Sequence, residues 1–282
     1  MTRRSWITRR TALRGAAGIG AAGLLGCTPA PPDHGADPPP APRPATTPAA
    51  DPTPTTSMPT PTPSPSPRST TAPPTDGLLT RAGPDLVRGP AASRGVALTF
   101  HGAGPVGLTR EVLHVLSAAH ARVTVFAVGQ WLDAHPEVGA ELVAAGHALG
   151  NHTWSHQVMT RLGAREARRE VRRGAAAVAA VLGHPGPLFR PSGTPRSTSL
   201  IRAAARSAGY ARCISYDVDS LDYLDPGPAA VRSRVLDQVR AGSVVSLHLG
   251  HRGTLEALPG LLSGLHDRGL TPVTVTQLFG GH

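Results

Sequence analysis

The 282-residue chain carries 13 histidines, and the pair whose spacing could do chemistry is His152 and His156. They stand in Gly150-Asn151-His152-Thr153-Trp154-Ser155-His156, directly after an apolar run. Side chains four apart on one helical turn project to the same side, so both imidazoles could reach a single Zn²⁺ at about 2.0–2.1 Å. In a histidine-rich chain such a pair is weak evidence alone, and His147 and His184 read as surface residues. The pair gains weight only if the fold brings other polar groups to it.

The elements that must do so begin near residue 93, where short apolar β-branched runs alternate with stretches of helical period, the pattern of β/α architecture. Strands are expected over 95–100, 122–128, 147–152, 188–190, 210–217, 243–249 and 271–275. Helices are expected over 108–119, 136–145, 164–182, 197–208, 228–239 and 254–268. In parallel β/α barrels the carboxyl ends of the strands carry the chemistry, and His152 falls at one of them. The helix over 164–182 bears Arg165, Arg168, Arg169, Arg172 and Arg173 beside Glu166 and Glu170, which reads as a solvated face laced with i,i+4 pairs.

The histidine segment resembles the second motif of the polysaccharide deacetylases, the NodB-type carbohydrate esterase family four. The likeness runs from about Arg94 to Gln277. Leu188-Phe189-Arg190-Pro191-Ser192-Gly193 is similar to the family's third motif, with Ser192 in place of its usual aromatic. Asp219-Ser220-Leu221-Asp222-Tyr223 is similar to the fourth, with Tyr223 replacing tryptophan, and Ser246-Leu247-His248 to the fifth. The resemblance implies an α/β fold, an irregular (β/α) barrel of the NodB type over 93–282, and a hydrolase removing acetyl groups from an N-acetylated polysaccharide. It also implies His152 and His156 as metal ligands, His248 as the acid with Asp219 hydrogen-bonded to it, Arg190 beside the base, and Tyr223 against substrate.

The first motif departs from the family. Where the family has Thr-Phe-Asp-Asp-Gly-Pro, its first aspartate the base and its second a ligand, this chain reads Thr99-Phe100-His101-Gly102-Ala103-Gly104-Pro105. His101 could be a third ligand, completing a three-histidine site with an open position, or a base kept neutral by a nearby Arg190. Asp217 or Asp222 could supply the base if the fold turns either inward. Arg190, having lost its carboxylate, could be simply structural. The cofactor expected is a divalent metal, Zn²⁺ first, with Co and Ni also suited to imidazole.

The N-terminal third reads differently. Residues 1–26 resemble a twin-arginine lipoprotein signal: Arg3-Arg4 and Arg9-Arg10, a short apolar run, then Leu24-Leu25-Gly26-Cys27, in which Cys27 would carry the lipid. Residues 27–92 form a Pro/Thr/Ser-rich linker, unable to bury enough surface to fold. The chain is thus expected to be exported and held on the outer face of the cell membrane by its lipid alone, or released outside the cell. With Cys27 lipidated, Cys213 is the one other cysteine and no internal disulfide is possible. The formal charge of +10 includes five signal arginines, and no nucleic-acid motif accompanies it, so no nucleic-acid partner is expected. The expected partner is an acetylated polysaccharide of peptidoglycan or chitin type, bound by a monomer. Two other readings compete: a catalytically impaired relative that binds glycan without deacetylating it, and a surface structural protein that keeps only the fold.

Overall fold

The computed structural model describes residues 77–90 and 94–280. The expected signal segment, Cys27 and most of the expected linker lie outside the described residues, but the described part of that linker, 77–90, is not a free spacer: Leu79 and Leu86 are buried in the core and Leu86 bridges Ile214. Fourteen elements follow in order: β1 (Gly95–Gly102), α1 (Val106–Ala118), β2 (Thr124–Ala127), α2 (Gly129–Ala134), α3 (Pro136–Ala144), β3 (Ala148–Asn151), α4 (Ala164–Leu182), α5 (Ser199–Arg206), β4 (Val218–Asp219), α6 (Pro228–Gln238), β5 (Val244–His248), α7 (Arg252–Asp267), β6 (Thr271–Pro272) and α8 (Val275–Gly280).

The strands pair in parallel in the order β3-β2-β1-β5-β4, with β6 joining the start of β1. Parallel strands are covered on both faces, which is why β1 can run Val96-Ala97-Leu98-Thr99-Phe100 without an exposed residue. One face packs against α1, α6 and α7 through Val112, Leu116, Val235, Leu258 and Leu261. Farther along the same outer face, over Leu149 of β3, α4 buries Ala167, Val171, Ala175 and Val178, spaced three or four apart along one stripe, while the inner face turns Ala97, Phe126 and Val244 toward Leu188 and Ile214. Helix α4 ends at Gly183, whose φ of 78° is the left-handed cap that glycine adopts without strain.

The sheet closes irregularly. Asn151 at the end of β3 bridges Phe189, Ile214 N–H donates to Phe189 O at 2.8 Å, and Asp217 N–H donates to Val244 O at 3.1 Å. Residues 188–190 and 214–217 thus stand where strands were expected but make single bridges, not ladders. The reason is chemical. The carbonyls of Ile214 and Ser215 accept from the Arg190 guanidinium, and Pro191 has no N–H to offer a neighbour. The outcome is the irregular barrel that the motifs implied.

Two short helices were not foreseen, α2 and α8. The second begins where a strand was expected over 271–275. Thr274 Oγ1 accepts from Gln277 N–H at 3.1 Å while Gln277 Oε1 accepts from Thr274 N–H at 2.9 Å. This reciprocal Thr-x-x-Gln cap turns the chain into a helix after two strand residues.

Candidate functional site

Parallel register brings the strand ends together. His101 on β1 stands opposite His248 on β5, and their ring centroids are 4.3 Å apart. His152, just past β3, lies 4.4 Å from His101 by centroid, and His156 lies 4.9 Å from His152. One nitrogen from each of His101, His152 and His156 falls within 4.8 Å of the others. The residues fit a metal in a further respect. His152 Nδ1 sits 2.9 Å from the carbonyl of Arg190, which can only accept, so the proton is on Nδ1. Its Nε2 is then a lone pair, buried and without a protein partner. A hydrogen bond that fixes the tautomer from behind is the usual support of a ligating imidazole.

Electrostatics keeps the cluster neutral, as a ligand must be. Burial lowers the pKa of His101 well below the ordinary value, and His152, Arg190, His248 and His156 lower it further by repulsion. His152 is lowered well below it too, by burial first and then by His156, against a smaller opposing effect of the Arg190 carbonyl. His156 is lowered as well, by desolvation and then by His248. His101 Nε2 also lies 3.3 Å from Ser246 Oγ.

The two histidines of the motif do not share a helical turn. Residues 152–158 form an irregular loop, with φ of 67° at Thr153 and 58° at His156. Such left-handed conformations are unfavourable for residues with a Cβ and persist only where the surroundings hold them. Here Glu170 of α4 does so: its carboxylate accepts from Trp154 N–H at 3.2 Å, Ser155 N–H at 2.8 Å and Ser155 Oγ at 2.9 Å. Asn151 Oδ1 accepts from Thr153 N–H at 2.8 Å. Glu170 is therefore not on the solvated arginine face where its sequence neighbours suggested; it is buried against the loop. The five arginines are exposed, and Arg173 covers the Trp154 ring at 3.8 Å.

His248 has a carboxylate behind it, but Asp222 provides it and not Asp219. Asp222 Oδ1 lies 2.7 Å from His248 Nδ1, and Oδ2 accepts from His248 N–H at 2.7 Å and Thr254 Oγ1 at 2.6 Å. Burial alone would raise the Asp222 pKa, but the bonds from His248 and Thr254 outweigh it and leave a lowered value. The backbone decides between the two aspartates. Leu221 adopts a left-handed φ of 53°, so the following short turn tucks Asp222 under β5, while Asp219 accepts from Leu221 N–H at 3.2 Å. Asp217 is not turned inward either; it accepts from Val244 N–H at 2.7 Å and Ser243 Oγ at 3.0 Å.

Arg190 lies inside the barrel with 1% of its surface exposed. It donates to Thr99 Oγ1 at 2.8 Å, Ser215 O at 3.1 Å and Ile214 O at 3.3 Å, and stacks over Phe126 at 4.2 Å. Burial brings its pKa down to about 9, so it remains a cation at neutral pH. Above it opens a cleft of about 480 Å³, walled by His101, His156, Tyr216, Asp219, His248 and the rim residue Tyr223. Tyr223 is 45% exposed and its ring centroid is 5.4 Å from that of His248. His251, paired with Asp225 at 2.8 Å, also faces this cleft. Neither it nor Tyr216 carried any signal in the sequence.

Residues 88–213 match the sequence profile described as polysaccharide deacetylase. A chitooligosaccharide deacetylase of Sinorhizobium fredii is 32% identical over 190 residues, covering 62% of this chain and 86% of that protein. The chain belongs to the polysaccharide deacetylase family. Another member, the peptidoglycan-N-acetylmuramic acid deacetylase of Bacillus subtilis, is 28% identical over 183 residues, 65% of this chain but 38% of that protein's length. A carbohydrate esterase family 4 pseudoenzyme of Bacillus anthracis has the same fold, with a TM-score of 0.65 at 23% identity, over 69% of this chain and 68% of its own.

The neutral histidine cluster makes the metal-free protein acid-sensitive. His101 and His152 have folded pKa values below their unfolded value of about 6.5. Their contribution to stability is therefore complete above that pH and is lost as pH falls through the window below it, where only the unfolded chain takes up protons. Thermal melts of metal-free protein should give a Tm that is level between about pH 8 and 7 and declines below about 6.5, with a shallower decline in His101→Gln. A Tm that stays level to about pH 5, or an unaltered slope in the variant, would contradict the assignment.

Proposed function

We propose that the protein is a metal-dependent hydrolase that removes acetyl groups, chiefly N-acetyl, from a polysaccharide of peptidoglycan or chitin type. The observation that carries the proposal is the juxtaposition of three neutral histidines, one with its tautomer fixed and its Nε2 buried, with a carboxylate-backed fourth histidine in the same cleft. His101, His152 and His156 would hold the metal, with Zn²⁺ the ion best suited to three imidazoles and an open position. When bound, the metal supplies Lewis acidity toward the acetyl carbonyl and the attacking water.

The remaining steps fall to residues of the chain. Both carboxylates of the family's first motif are absent, and Asp222 is fully occupied behind His248. His248 therefore serves both proton transfers. With Nδ1 donating to Asp222, its Nε2 takes a proton from the attacking water, and the imidazolium so formed is stabilised by the carboxylate. The same proton then passes to the departing amine as the carbon–nitrogen bond breaks. Tyr223 at the rim packs against the sugar, and Asp219 on the wall accepts from its hydroxyls. The substrate class is supported by relatives described as acting on peptidoglycan and chitooligosaccharides. Export with a lipid anchor at Cys27 is part of the proposal, resting on the order of basic head, apolar run and Leu-x-Gly-Cys in the sequence. No helix among the described residues is long and apolar enough to cross a membrane.

A second reading, glycan binding without catalysis, is favoured by the missing first-motif carboxylates and by the pseudoenzyme of the same fold. Metal analysis with an acetate-release assay separates the two. The enzyme should contain one metal per chain and release acetate. His101→Ala should lower metal affinity steeply and His101→Asp largely restore it, whereas His248→Ala should keep the metal and lose about 10²- to 10⁴-fold in turnover. Glycan binding without acetate would establish the second reading, and an alanine variant at His101 equal to the parent would remove the third ligand. For the anchor, Cys27→Ala should shift the protein from the membrane fraction to the soluble one. Continued pelleting with membranes would rule out lipidation.

A further inference from the structure

Beside the catalytic cleft opens a second pocket of about 440 Å³, which shares Pro195, Tyr216 and Asp219 with it and extends outward to Arg196, Arg234 and Gln238. The two share a wall, so a chain molecule with one unit over the histidines can place its neighbour here. Two guanidinium groups line this pocket. Arg196 is braced by one nitrogen only: Nη1 donates to Pro195 O at 3.3 Å, to Tyr216 O at 3.1 Å and to Ser215 Oγ. Its Nε and Nη2, the edge that grips a carboxylate with two parallel bonds, have no partner among the described residues. Arg234, on the exposed side of α6, has no side-chain hydrogen bond or ion pair among the described residues.

Two carboxylates also line the pocket, but they do not cancel these cations equally. Asp217 is already satisfied by Val244 N–H and Ser243 Oγ and lies 3.8 Å from Arg88. Asp219 stands on the wall shared with the catalytic cleft, so the inner end of the pocket suits hydroxyls and the arginine end suits an anion.

We infer that this pocket binds the sugar next to the acetylated one and selects units that carry a carboxylate, whether a uronic acid or a lactyl ether. The inference rests on the polysaccharide reading of the cleft and adds to it a preference for acidic over neutral glycans. A charge-assisted bidentate bond at a partly exposed site is consistent with a preference of about tenfold at low salt, weakening as salt screens it.

Calorimetric titration of the full chain with three N-acetylated oligosaccharides of equal length tests this: one neutral, one alternating with uronic acid, one alternating with a lactyl-ether sugar. Wild-type protein should bind one or both acidic oligomers about tenfold more tightly than the neutral one. Arg234→Ala, which breaks no internal bond, should erase most of that difference, and Arg234→Lys should restore part of it. Equal affinity for all three, or an acidic preference untouched by Arg234→Ala, would overturn the inference and leave the polysaccharide reading intact. Failure to bind any of the three would overturn both.

Discussion

A guanidinium buried without a carboxylate is costly, and in this protein the site is arranged around one. Transfer of an ion out of water is offset only where every donor finds an acceptor. Arg190 approaches that condition with one acceptor for each of its three nitrogens, Thr99 Oγ1 on β1 and the carbonyls of Ile214 and Ser215, and with the face of Phe126 on β2. These contacts tie together the segments that the sheet itself joins only by single bridges. The carbonyl of the same residue takes the Nδ1 proton of His152. One residue thus completes the barrel wall and sets the tautomer of His152, the most buried of the three clustered histidines.

The cation has a second consequence. Three imidazoles packed at 4.4–4.9 Å between neighbouring ring centroids, beside the Arg190 cation, cannot share further protons. Burial and mutual repulsion hold His101, His152 and His156 neutral. Neutral imidazoles whose nitrogens lie this close together suit a metal ion, which gives His101 a physical role beside His152 and His156. His248 belongs to the same cluster yet differs in one respect: the Asp222 carboxylate lies 2.7 Å from its Nδ1, a partner none of the other three has among the described residues.

Much of this was legible in the sequence, and the failures have definite causes. The helix over 164–182 is legible to the residue because its apolar stripe is long and periodic, His152 and His156 through their spacing, and His101 and His248 through the likeness of their segments to the family's motifs. Glu170 was misplaced because its neighbours are arginines, and only the packing of α4 on the histidine loop reveals the stripe it shares with Val171 and Ala167. Asp219 was taken for the partner of His248 because nothing in Asp-x-x-Asp announces a left-handed residue at Leu221. The spacing of His152 and His156 suggested a helical turn, but a strained loop satisfies the same separation. Strands over 188–190 and 210–217 were expected because apolar runs do not show that their carbonyls serve an arginine.

The central claim is that three imidazoles, His101 among them, form the metal's protein ligand set. X-ray absorption spectroscopy of the zinc-loaded protein counts such ligands directly. Three imidazole scattering paths at about 2.0–2.1 Å in the parent, falling to two in His101→Ala, are the result this account predicts. A parent spectrum with two imidazoles and oxygen donors for the rest, unchanged on removal of His101, would contradict it.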